Sequence, residues 1–141
     1  MTEAAAERLV KLVLRLGGVL LGAALVAVFL PFETMARIHR DWLGMGELPD
    51  RPIVDYLARS LSLFYAAQAP LHFMAAADLR RLRPLALYLG WFHLVLGAAL
   101  VVVDLHAGMT AFWIWNEGPP AVAVGALILL LLRRIEPARA P

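Results

Sequence analysis

Stretches apolar enough to lie in lipid should carry no ionisable groups, yet this chain places Asp55, Arg59, Gln68 and His72 in one such stretch and His93 and Asp104 in the next. Ionisable side chains inside spans face a bundle interior or a water-filled cavity, where they pair or serve a site. At 100° per residue Asp55, Arg59 and Ser62 share one helical face. Tyr65, Gln68 and His72 form a neighbouring stripe, and His93, Gly97 and Asp104 share a face of the following helix, with Gly90 beside them. By depth the groups fall into two sets. Asp55, Arg59, Asp104, His106 and Glu117 form an intramembrane polar cluster toward the outer side, with Arg59 expected to pair mainly with Asp104. Tyr65, Gln68, His72 and His93 lie deeper, where they could hydrogen-bond between helices or bind a ligand. No cofactor is expected, with bis-histidine ligation of haem b by these two histidines, at similar depth on adjacent helices, as the lesser alternative. A zinc site is poorly served, because Asp104 stands about 16 Å along its helix from His93.

The elements that must position these groups follow from composition. Of 141 residues, 62% are hydrophobic and 17% charged. A soluble domain carries about a quarter charged residues, so a water-exposed surface is not available here. Absence of cysteine excludes disulfides, thiolate metal sites and dithiol chemistry. A spanning helix needs about 20 mostly apolar residues. Four segments are expected to qualify, at about 9–31, 53–77, 84–106 and 119–132, giving one all-α domain over 1–141, an integral membrane four-helix bundle. Gly118-Pro119-Pro120 should break a helix, so 110–117 is expected as an interfacial loop and the fourth span as a short one from Pro119. Between the first two spans, Met35, Ile38 and Trp42 recur on one face of a short interfacial amphipathic helix, with Gly44 as its stop. Asp78 to Arg83 reads as a tight hairpin, and the second and third spans are expected to pack through their polar and glycine faces. Gly18 and Gly22 form a G-x-x-x-G pair in the first span.

Twelve of the thirteen basic residues are arginine. Arg8, Lys11, Arg15, Arg80, Arg81, Arg83, Arg133, Arg134 and Arg139 fall on one side of this topology, against Arg37, Arg40 and Arg51 on the other. The positive-inside rule then puts both termini in the cytoplasm of a bacterial cell, with the chain multi-pass in the inner membrane. No A-x-A site follows the apolar run from Leu16 to Phe32, and Ala23-Ala24-Leu25-Val26-Ala27-Val28 offers no clean small-x-small cleavage signal, so the first span is expected to be a retained anchor. The clustered arginines serve topology and lipid headgroups, with no nucleic acid expected.

Enzyme motifs are missing: no G-x-S-x-G, H-E-x-x-H, Walker loop or dinucleotide glycine fingerprint occurs. Small multidrug exporters also have four short spans, but they rely on an acid in the first span, and Leu16 to Phe32 contains none.

The stretch from Trp42-Leu43-Gly44-Met45-Gly46-Glu47-Leu48-Pro49 through Pro52-Ile53-Val54-Asp55-Tyr56-Leu57-Ala58-Arg59-Ser60 resembles a group of small bacterial membrane proteins without assigned activity. Asp104, Phe112-Trp113 and Glu117-Gly118-Pro119 extend the resemblance to about residues 35–120. It implies a four-helix membrane fold. In hydropathy the chain is more distantly similar to DoxX-like proteins, some of which are linked to quinone-dependent redox systems. The leading expectation is a protein without catalytic activity, an accessory or scaffolding subunit associating with itself or with a larger membrane complex. The alternative is a binder of a lipophilic molecule (quinone, lipid or haem) between the second and third spans.

Overall fold

The computed structural model describes residues 1–136, all-α with no strand among them; Arg139 lies outside the described residues. Helix α1 (Glu3–Ala23) starts earlier than hydropathy alone predicts. Thr2 caps it by accepting from the Ala5 amide at 3.3 Å, and a Glu7–Lys11 pair at 2.7 Å spans its next turn. A slight break at Ala24 leads into α2 (Leu25–Phe29), and Pro31 ends the run by holding Leu30 extended. Helix α3 (Phe32–Arg37) continues into a π-helical turn over Ile38–Trp42, after which Gly44 takes φ +65°. The expected short helix around Met35, Ile38 and Trp42 therefore exists, with Trp42 80% exposed. Arg40 binds Asp41 and Glu47 here, and its guanidinium holds the Asp41 carboxyl below the usual carboxylate range.

Helix α4 (Pro52–Ala77) opens with proline, where a missing N–H is harmless, and α5 (Arg83–Ala107) ends at a left-handed Gly108. Helix α6 (Ala111–Leu132) corrects the expectation of a loop over 110–117. Thr110 caps it, accepting from the Trp113 amide at 3.4 Å, and the helix runs through Pro119 and Pro120. Each proline deletes one backbone donor, but tertiary contact outweighs the loss. Gly118 lies directly against the Gly97 backbone, so the α5 surface holds the segment helical where local preference would not.

That seam is the tightest in the molecule. Gly90 and Gly97 of α5 are spaced like Gly118 and Gly125 of α6, and the two pairs meet antiparallel. A Cβ added at Gly97 would stand 2.7 Å from the Gly118 carbonyl oxygen; one at Gly125 would stand 2.5 Å from the Leu94 amide nitrogen. A seven-residue repeat of glycine keeps one seam of each helix facing the other and lets the backbones touch. Helix α4 packs chiefly on α1 instead, where Phe73 covers Gly18, His72 covers Gly17 and Ala69 faces Gly22. The expectation that α4 and α5 pack through their polar faces is thus corrected: each prefers the glycine-rich helix on its other side, because close backbone approach wins over polar matching. Helix α1 also touches α6, closing the four long helices into a ring.

One end of this ring is sealed. Ala6, Val10, Leu14, Leu79, Leu89 and Leu132 are completely or almost completely buried there. Arg80 ties the end together, its Nε donating to Glu7 at 3.0 Å and an Nη to Glu3 at 2.9 Å; the hydrogen bond it gives to Glu7 raises its pKa above the ordinary arginine value. Arg83 donates to the Leu132 and Ile135 carbonyls at 2.8 and 2.6 Å, satisfying groups that the end of α6 leaves free. Large apolar side chains cover the outside of the helices, including Leu20, Val26, Phe29, Val95 and Val102. Three helical stretches, Glu3–Phe29, Arg83–Ala107 and Ala111–Leu132, are long and apolar enough to cross a membrane. Helix α4 is equally long but diluted by its polar stripe.

Candidate ligand-binding cavity

Because α4 turns toward α1 and α5 toward α6, a gap remains among the four helices beyond the sealed end. It forms a cavity of about 350 Å³. Its polar wall comes from Tyr65 and Gln68 of α4, His93 of α5 and Glu117 of α6, and its apolar wall includes Phe92 and Val124. The small residues Gly17 and Ala24 of α1 close another side. Volumes of this size lie at the lower end for small-molecule sites.

The hydrogen bonds fix what each polar group still offers. The Tyr65 hydroxyl donates to Glu117 Oε1 at 3.4 Å, joining α4 to α6 across the cavity. His93 Nδ1 sits 2.9 Å from the Leu89 carbonyl, one turn back on its own helix. A carbonyl can only accept, so Nδ1 carries the hydrogen and Nε2 is left as an acceptor. His72 repeats the pattern, with Nδ1 2.9 Å from the Gln68 carbonyl. Among the described residues nothing donates to Gln68 Oε1, His72 Nε2 or Asp104 Oδ2, although all three atoms are buried. Each is an acceptor. Three buried acceptors thus receive no hydrogen bond from the described residues, and buried unsatisfied groups cost about 1–3 kcal/mol each.

The sequence-derived residues separate accordingly. Tyr65, Gln68, His93 and Glu117 meet at the cavity. His72 is 1% exposed and lies just behind it, its ring edge against Gly17 and its face in T-shaped contact with His93 at a centroid distance of 5.1 Å. Asp104 is 4% exposed and close enough to Glu117 and Tyr65 to interact with both by charge. His106 is exposed in the last turn of α5.

Arg59 goes elsewhere. Its Nε donates to both Asp55 oxygens, at 2.9 and 3.0 Å, and an Nη donates to the Val28 carbonyl. Val28 is the last-turn carbonyl that α2 leaves free when Pro31 breaks the chain, and a guanidinium suits it well. The expected Arg59–Asp104 pair is corrected on this ground: Arg59 finds an acid one turn away and a free carbonyl on the neighbouring helix, while Asp104 turns to the Glu117 side.

The haem alternative does not fit. The two imidazoles touch each other, leaving no room for a porphyrin between them, and the His72 Cδ2–Nε2 edge lies against Gly17 of α1. Among the described residues no three His, Asp or Glu side chains converge as metal ligands.

Sequence reasoning missed Gly118 and Gly125. Their seven-residue spacing, repeated by Gly90 and Gly97 in the preceding segment, was the signal that would have found the seam and, with it, the gap. Comparison of the chain with protein families, with curated proteins and with solved structures yields no match in any of the three. Function is therefore read from geometry.

Proposed function

We propose that the chain is a four-span protein of the bacterial inner membrane with both termini cytoplasmic, and that it binds a lipophilic molecule bearing hydroxyl donors in the central cavity, without catalysis of its own. Helix α4 is the fourth span: its 26 residues reach about 39 Å at about 1.5 Å each, more than the roughly 30 Å of hydrocarbon. Its deeper polar residues Tyr65, Gln68 and His72 turn toward the cavity and α1, which lowers its hydropathy, while the partly exposed Asp55 and Arg59 pair with each other near its outer end. The excess of basic residues at the sealed end supports a cytoplasmic location for that end. The exposed Trp42 supports α3 and its π turn lying along the opposite headgroup region.

The observation that carries the binding reading is the pair of acceptors, Gln68 Oε1 and His93 Nε2, that no described residue donates to on the wall of a largely apolar space. Water could satisfy some of them, but an amphipathic ring with hydroxyl groups would satisfy Gln68 Oε1 and His93 Nε2 while its body fills the cavity beside Phe92. Among lipophilic candidates this favours a reduced quinol-type head over its oxidised quinone, which brings only more acceptors.

Extraction of the chain purified in mild detergent, followed by mass spectrometry of bound small molecules, tests the proposal. A hydroxylated lipophile near one per chain is expected for the wild type, and its loss from Val124→Phe, which fills the cavity. Co-purifying subunits with no small molecule would reject binding and return the accessory role to first place.

A further inference from the structure

The α5–α6 hairpin carries a second concavity near the sealed end, a groove of about 320 Å³ between the two helices. Arg83 and Arg133 stand at its mouth, and Leu87, Trp91, Leu129 and Leu130 form its walls. Trp91 lies eight residues along α5 from Arg83, roughly 12 Å. The groove is thus cationic at one end and apolar for the length of several acyl carbons. No carboxylate lines it. Arg83 is held in place by the Leu132 and Ile135 carbonyls, which use two of its five N–H groups and leave the guanidinium charge unneutralised. Among the described residues Arg133 has no ion-pair partner.

We propose that this groove binds an anionic phospholipid, with the phosphate between Arg83 and Arg133 and one acyl chain along Trp91 and Leu129. Two uncompensated cations at the mouth of an apolar slot match that molecule's charge and shape together. Free phosphate would use the arginines but leave the slot empty, and a zwitterionic lipid would fill the slot with its charge largely cancelled. Basic pockets between helices on the cytoplasmic side recognise anionic headgroups in the same way. The inference rests on the hairpin lying in a bilayer, and does not need the central cavity to bind anything.

Native mass spectrometry of the full chain, released from detergent after titration with phosphatidylglycerol, phosphatidylcholine of the same chains, or inorganic phosphate, tests it. Phosphatidylglycerol should be retained over phosphatidylcholine, and Arg133→Gln should weaken that retention about fivefold, the value of one basic residue near an anionic surface. Leu129→Trp, which blocks the slot and keeps both charges, should also lower retention. Arg83 is spared because it holds the end of α6. Equal retention of the two lipids, unchanged retention by both variants, or full displacement of phosphatidylglycerol by inorganic phosphate would each overturn the proposal. Loss of the Val124→Phe cavity ligand would leave this result unaffected, so the two sites fail separately.

Discussion

Along the α5–α6 seam backbones touch through four glycines, while across the ring α4 and α5 meet through the His72 and His93 rings beside a cavity with a polar wall. Both regions draw on the same helix, α5, and differ in what the facing helix offers. Helix α6 presents Gly118 and Gly125 at the spacing of Gly97 and Gly90, so main chain packs on main chain. Helix α4 presents Tyr65, Gln68 and His72, whose bulk and partial satisfaction keep it from closing. Small residues let one pair of helices close; polar ones hold the other boundary open.

The largest effect that would break this contrast is Gly125→Ala. Its Cβ would collide with the Leu94 and Gly90 backbones, which cannot rotate away as a side chain can. A loss of about 3 kcal/mol is expected in reversible unfolding in detergent, at the upper end for overpacking. A smaller cost of about 1–2 kcal/mol is expected for Asp55→Ala, which strips Arg59 of its only acid partner among the described residues. Asp104→Asn should be neutral or stabilising by up to about 1 kcal/mol, since it removes a buried charge whose Oδ2 receives no hydrogen bond. Smallest of all is Gly22→Ala: its Cβ would meet Ala69 at 3.5 Å, an ordinary contact, so a change within about 0.5 kcal/mol is expected. Equal costs for Gly125→Ala and Gly22→Ala would erase the distinction between the two glycine sets. A greater cost for Asp104→Asn than for Asp55→Ala would restore the Arg59–Asp104 pair.

How much of this was legible beforehand depended on whether a feature is local. Pro52 and Gly108 mark helix ends by their own backbone preferences, and the boundaries of α4 and α5 fell within a residue or so of the expected ones. Hydropathy likewise located the first span, though Thr2 and Glu3 moved its start earlier. Gly118-Pro119-Pro120 misled because a local breaker was overruled by contact with Gly97, which lies far away in sequence. Arg59 misled for a similar reason. Its partner on the neighbouring helix is a backbone carbonyl, and no side-chain type at Val28 announces one. The cavity itself is invisible in the sequence, because a void is a property of which helices pair, and the sequence pattern turns Gly90 and Gly97 toward α4 whereas they face α6.

The proposed site in the gap between the two glycine-packed pairs should distinguish a donor-bearing ligand from one that only accepts. Titrating the purified chain with a short-chain alkyl hydroquinone and with the matching quinone, followed by calorimetry, tests it most directly. The hydroquinone should bind at least about tenfold more tightly, the consequence of two donors meeting otherwise unsatisfied acceptors, and Val124→Phe should abolish the binding. Quinone binding as tight as hydroquinone, or hydroquinone binding unchanged in Val124→Phe, would contradict the account.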